Sequence, residues 1–279
     1  MWQLTWIELY KIFKKPRTYI AFAAIAAIVG LIQLALYADG RTYIQFALQP
    51  LREAFQVSGQ VLNGYFVCFL ILGTLLVHVP LLIALVAGDV VAGEANMGTL
   101  RLLLTKPISR TGLLLSKFAA VIVYTLGLLV FMAALSLGGS LGLFGTGDLI
   151  VLKSEMVLIL DRSDVLWRFA GAFGFAALSM ITVAALALLL SAFAENSIGP
   201  IIITMSIIIL FTILTTMDLP LFNAVKPYLF TNHMLNWKGF FERPVDRAEV
   251  LKSAAVLALH VLLFLSVAIY SFRRKDILS

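Results

Sequence analysis

Few residues in this chain can do chemistry, and most of them gather in one short stretch. Between two long apolar runs lies Gly88-Asp89-Val90-Val91-Ala92-Gly93-Glu94-Ala95-Asn96-Met97-Gly98-Thr99-Leu100-Arg101, continuing to Lys106-Pro107-Ile108-Ser109-Arg110. An acid, a helix-length apolar pattern and a basic end suit a surface built to receive another protein. Leu100, Leu103 and Leu104 offer an apolar anchor, and Glu94 and Arg101 can fix its register through charged contacts at the rim. The competing reading packs these leucines against the chain's own helices and leaves Arg110 to topology. Glu195 and Asn196, alone between two other apolar runs, form a second polar island.

Two further groups sit inside apolar runs. His78 and His260 are ionisable where burial in lipid is costly, which makes them candidates for a pathway or gate. The plainer alternative is a neutral histidine hydrogen-bonded across to another helix. Two histidines without a carboxylate at ligand spacing do not make a metal site. The single cysteine, Cys68, lies in an apolar run and excludes a disulfide framework. No G-x-x-x-x-G-K-[ST], H-E-x-x-H or G-x-S-x-G pattern occurs. The expectation is a chain that is not an enzyme and carries no cofactor or metal of its own. No Asp, Glu, Lys or Arg lies at the centre of any apolar run, so an ion-driven carrier would lack its coupling residue. The driving force then comes from elsewhere.

The elements that position these residues follow from composition. Of 279 residues, 61% are hydrophobic and 13% charged, with a mean hydropathy of +1.00. A soluble domain would need about twice that charge, so the chain reads as one integral membrane unit over 1–279. Uncharged stretches of membrane length occupy 18–38, 64–88, 112–137, 169–193, 197–217 and 253–272. Such runs read as six transmembrane helices of an all-α fold, without the alternation of a membrane barrel. Six spans put both termini on one side. That side, with Lys117 just inside the third span, collects eleven Lys/Arg against five acids, whereas the other holds ten of each. The positive-inside rule makes the terminal side cytoplasmic. Topology thus accounts for the whole excess of +6, and no nucleic-acid partner is implied.

Outside the spans, residues 1–17 form an amphipathic elbow. Trp2, Trp6, Leu9, Tyr10 and Phe13 share one helical face with Lys11, Lys14 and Lys15 beside it, and Pro16 breaks the helix before the first span. The elbow is an anchor or, on the sharper reading, also a contact for a cytoplasmic partner. On the other side, the spacing of Ile44, Leu48, Leu51, Phe55, Ser58 and Leu62 predicts a helix over 43–62. Residues 149–160 are apolar enough for a surface helix, and 227–245 place Tyr228, Phe230, Trp237, Phe240 and Phe241 at an interface. These segments either seal the bundle or shape an outer gate.

The opening island resembles the integral membrane subunits of ABC-2 type ATP-binding-cassette transporters. The resemblance rests on Gly93-Glu94-Ala95-Asn96-Met97-Gly98-Thr99-Leu100-Arg101-Leu102-Leu103-Leu104-Thr105-Lys106-Pro107-Ile108-Ser109-Arg110, followed by Lys117-Phe118. It extends to the start, with Glu8, Lys11, Lys15 and Pro16, and to the basic end, Phe272-Arg273-Arg274-Lys275-Asp276. It implies an ABC-2 exporter fold with a cytoplasmic coupling helix between spans two and three. Glu94, Thr99, Leu100, Arg101, Leu103 and Glu195 are the residues expected to couple to a separate ATPase. ATP and magnesium belong to that ATPase. The other implied partners are a second membrane subunit (a homodimer or a related permease), the lipid bilayer and an extracytoplasmic protein. The implied location is a bacterial or archaeal cytoplasmic membrane, and the implied function is ATP-driven export by alternating access. The alternative is a mechanotransmission or assembly complex that moves no cargo.

Overall fold

A backbone amide has no water to bond to in the middle of a bilayer, so a long apolar run must close its hydrogen bonds within itself. The computed structural model describes residues 2–47, 61–105, 107–152, 157–217 and 219–275. Among them six helices are long and apolar enough to cross a membrane: α2 (Pro16–Ala47), α3 (Gly64–Ala87), α6 (Arg110–Phe144), α7 (Arg162–Phe193), α8 (Ile198–Thr216) and α11 (Arg247–Arg274). Before them lies α1 (Trp2–Lys14), the elbow. Two short helices, α4 (Ala92–Asn96) and α5 (Thr99–Leu104), fill the turn between α3 and α6. The chain is a polytopic membrane protein with an all-α fold, interrupted among the described residues by one hairpin.

Polar residues set the helix starts. Lys15 bends out of helix and Pro16 takes the first position of α2, where its missing N–H costs nothing. Asn63 Oδ1 accepts from the amides of Tyr65 and Phe66, each at 3.1 Å, and so caps α3. Ser109, Asp161 and Asp246 do the same for α6, α7 and α11. Gly98 joins α4 to α5 with φ +68°, a left-handed conformation that costs a side-chain-bearing residue energy. Within α6 one π-helical turn spans Ala134–Gly138. Gln33 of α2 answers it, donating to Leu135 O at 3.0 Å and to Ser140 Oγ at 3.1 Å.

The bundle is built around α7, which touches α3, α6, α8 and α11. Buried residues occupy 61% of its most apolar stretch, against 17% for α8 and α11. α8 leaves an apolar surface open on the outside of the bundle, Ile202, Ile203, Ile209, Leu210 and Ile213 among it. The N-terminus, the turn 88–110, the α7–α8 turn and the C-terminal end of α11 meet at one end, the terminal face. Asn63, Asp148, Arg168 and the 227–245 segment meet at the other, the far face.

The far face corrects one expectation. Residues 149–160 are not a surface helix but two strands, β1 (Leu149–Leu152) and β2 (Val157–Leu160), paired antiparallel with Leu149 opposite Leu160. Four-residue apolar runs are too short for periodicity to separate helix from strand. Here Ile150, Val151, Val157 and Ile159 are stiff at χ1 and favour the pleated backbone. Leu149, Val151 and Leu160 turn inward and Val157 and Ile159 outward. Of the helix expected over 43–62, the stretch to Ala47 is the end of α2, and 48–60 lies outside the described residues. The 227–245 region holds α9 (Pro220–Asn223) just before it, a short 3-10 turn at Lys226–Tyr228, α10 (Phe230–Met234) and a longer 3-10 turn at Leu235–Phe241. Phe230, Trp237 and Phe241 plug into the bundle while Tyr228 stays exposed.

Candidate functional site

A lysine inside an apolar helix needs carboxylates, and the terminal face supplies two. Lys117, about two turns into α6, is fully buried. Because α1 lies along α6, Glu8 reaches it, Oε2 to Nζ at 2.7 Å. Glu94 comes from the first turn of α4, its Oε2 facing the Lys117 ammonium at 2.7 Å, an ion pair lying off the hydrogen-bonding direction. Lys11 closes the ring on the open side, 2.7 Å from Glu8 Oε1 and 2.8 Å from Glu94 Oε1. Lys117 donates its remaining hydrogen bond to Val90 O at 3.1 Å. Two ammoniums and two carboxylates alternate, so the ring is neutral, which is the condition under which buried charge is tolerable. Burial works against the Lys11 ammonium, but its hydrogen bonds to Glu8 and Glu94 and their charges outweigh it and hold the pKa above the ordinary lysine value.

A second cluster abuts the first. Asp89 is buried, with Lys15 at 2.6 Å on Oδ2 and Arg17 at 2.7 Å on Oδ1. Ser197, at the start of α8, donates to the same Oδ1. Gly93 is required beside it, since a Cβ there would collide with the Asp89 carboxylate. Ser191 of α7 accepts from the amides of Val91 at 3.2 Å and Ala92 at 2.9 Å, satisfying two donors that α4 leaves open. The C-terminal end of α11 is tied in as well. Arg110 donates to the carbonyls of Arg273 at 3.1 Å and Lys275 at 2.7 Å, and Lys275 reaches Ala192 O at 3.1 Å and Ala194 O at 3.2 Å. Burial pulls the Lys275 pKa below its ordinary value, with Glu195 acting the other way. The segment 89–94 is therefore bonded at once to the elbow, to α6, to α7 and to α8.

The residues expected to face a partner divide. Glu94 is buried in the ring. Leu100 points into the core and is 1% exposed. Thr99 is exposed, its hydroxyl donating to Glu94 O at 3.3 Å. Leu103 is half-buried, Glu195 is exposed in the α7–α8 turn, and the Arg101 side chain lies outside the described residues. What stands open is a cleft of about 520 Å³ between α1 and α4–α5. Tyr10, Lys14, Met97, Leu102 and Leu103 line it, with the ring at its back. Met97 at 60% and Leu102 at 68% exposure are its most open apolar side chains, and the sequence reading did not single them out. Helical spacing would have set Met97 on the same face as Leu100, but the left-handed Gly98 breaks the helix between them. The ring's signal was Lys117 itself, since a charge in an apolar run implies a partner.

His78 and His260 are not brought together. Each bonds the carbonyl one turn back in its own helix, Thr74 O and Val256 O, both at 2.8 Å. His78 is exposed on the bundle surface, and His260 packs its ring against Phe230 and Phe264. The third histidine, His233, is buried and joins the far-face segment to α11 through Ser253 at 2.9 Å. Among the described residues no three His, Cys, Asp or Glu side chains converge as metal ligands.

Comparison with known proteins adds lineage. Residues 24–278 match the family described as "Protein of unknown function (DUF2705)". The chain is also similar to an uncharacterized protein, YhcI, of Bacillus subtilis (strain 168), at 27% identity over 203 residues. The aligned stretch covers 69% of this chain and 63% of that relative, so the chain spans less than two thirds of the relative's length.

Proposed function

The chain belongs to the DUF2705 family, and on that premise we propose that it is the membrane subunit of an ATP-driven exporter of ABC-2 type. The observation that carries this reading is the cleft at the terminal face. Its open apolar side chains, Met97 and Leu102, sit beside Lys14 on the same 89–104 segment that the charge ring fastens to α1 and α6. A partner pressing there would move the elbow and the third span together rather than bend a loose loop. The terminal face is cytoplasmic in this reading, supported by its surplus of Lys and Arg. The membrane is the cytoplasmic membrane of a bacterium or archaeon, and a second membrane subunit covers part of the open face of α8.

The division of labour follows. The partner ATPase holds ATP and magnesium, and this chain contributes no catalytic group. Closure of the ATPases pushes the cleft, the ring passes the displacement to α1 and α6, and the bundle repacks between inward-open and outward-open forms. A complex doing mechanical work without cargo would use the same cleft. What favours that second reading is the far-face hairpin, whose Val157 and Ile159 are apolar and exposed.

The test is the Leu102→Asp variant of the full chain, purified from its own membrane in parallel with the unchanged protein. Leu102 is 68% exposed, so the fold should persist. An ATPase subunit should copurify with the unchanged chain in constant ratio and be lost, with its hydrolysis, from the variant. ATP hydrolysis by the chain alone, or an undiminished complex with Leu102→Asp, would overturn the reading.

A further inference from the structure

The cytoplasmic-side cleft does not exhaust the openings in the bundle. A second cavity of about 250 Å³ lies between α3, α7 and α8 under the Phe230–Phe241 segment. Its walls are apolar, with Val77, Met180 and Ile208 among them. It is larger than the roughly 150 Å³ apolar cavity that holds a benzene ring. Its mouth is flanked by Val77, Ile209 and Ile213, which are 61%, 54% and 48% exposed. It therefore opens sideways toward hydrocarbon, not toward water.

Four polar side chains break this apolar lining, Ser179, Thr212, Thr231 and Lys238, and the Ser179 hydroxyl is spent on Phe175 O at 3.1 Å. Thr231 is 4% exposed, faces the cavity, and its hydroxyl has no partner among the described residues. A buried hydroxyl left without a bond costs about 1–3 kcal/mol, so an acceptor on an occupant would be taken up there. Lys238 stands at the rim with its ammonium 5.9 Å from the Trp237 ring centre, and it has no carboxylate partner among the described residues. A hydrocarbon slot, then a hydroxyl donor, then a free cation is the order of groups along one chain of an acidic lipid.

We propose that this cavity binds one acyl chain of an anionic lipid, whose ester carbonyl accepts from Thr231 Oγ1 and whose phosphate meets Lys238. The site is complete within a single chain and does not depend on coupling to an ATPase. A bilayer phospholipid and a free single-chain amphiphile share this chemistry.

Trp237 lines the cavity and reports on it. In the full chain, Trp2, Trp6 and Trp167 are exposed and can be replaced by Phe, leaving Trp237 as the only tryptophan to be excited selectively over tyrosine. The protein is placed in phosphatidylcholine nanodiscs containing increasing fractions of phosphatidylglycerol brominated on its acyl chains, with brominated phosphatidylcholine as the control. Quenching should saturate, and do so at a fraction about fivefold lower for the anionic lipid, the worth of one lysine–anion contact at a membrane surface. Lys238→Gln, a change at an exposed side chain, should erase that preference. Thr231→Val should weaken saturable binding of both lipids by about threefold to tenfold. Brominated lysophosphatidylglycerol separates the sources: tighter quenching than the two-chain lipid identifies a free amphiphile, and weaker quenching identifies the bilayer. Quenching that rises without saturation and equally for both headgroups overturns the proposal, as does an unchanged preference in Lys238→Gln.

Discussion

The two ends of this bundle use the same residue types for different work. On the terminal face, acids and bases from three elements meet each other in the protein interior, as Glu8, Lys11, Glu94 and Lys117 do. On the far face, Arg168 spends its donors mostly on backbone. It pairs with Asp164 at 2.7 Å, one turn back, and binds Phe240 O at 2.7 Å and Glu242 O at 2.8 Å. Around it the far face is held by rings, Phe169 and Phe69 each packing edge-on against Phe241 at 4.9 and 5.1 Å. Long-range ion pairs join separate elements into one body, whereas a backbone-capping arginine and an aromatic plug hold a lid in place. The terminal face is thus suited to pass a displacement and the far face to seal the bundle.

The sharpest way to break this comparison is Lys117→Met. It leaves two buried carboxylates sharing Lys11 alone, and losing one partner of a buried ion pair costs about 3–5 kcal/mol. The solubilised variant should melt far below the unchanged chain, and adding Glu8→Gln with Glu94→Gln should restore most of the loss. Equal melting of Lys117→Met and the unchanged protein would mean that the ring does not hold the terminal face together. Arg168→Ala should cost less, about 1–3 kcal/mol, for the carbonyls it leaves open. Its signature should be faster amide exchange confined to 235–247, with the terminal face unaffected; loss of protection at both ends would mean that the two are not separate devices.

The smallest effect is on pH. Lys11 is ordinarily charged below about pH 10.4, and its folded pKa is higher. Its contribution is therefore fully present at neutral pH and is lost as pH rises through the folded value. Stability should stay flat from neutral pH up to the ordinary lysine value and fall only beyond it. Lys11→Met should remove that alkaline limb, read by melting in nanodiscs across the same range.

Much of the fold was readable because membrane helices obey a local rule. Each of the six runs had to satisfy its own backbone, so hydropathy and length located them, and Pro16 and the short 194–197 turn marked real breaks. The hairpin at 149–160 was not readable, because two apolar strands become a surface only once they pair. At the site, the stretch 88–110 announced itself by carrying charge and pattern between two spans. Which of its residues face outward did not: Leu100 and Glu94 turned in, and Met97 and Leu102 turned out.

By itself the sequence determined the class of molecule, the number of spans and the side on which charge accumulates, since these follow from composition summed along the chain. Tertiary structure alone decided the partners. Glu8 and Lys117 are 109 residues apart, and no periodicity links them. They meet because α1 lies against α6, and their attraction, with Lys11 and Glu94 completing a neutral ring, offsets the cost of taking both charges out of water.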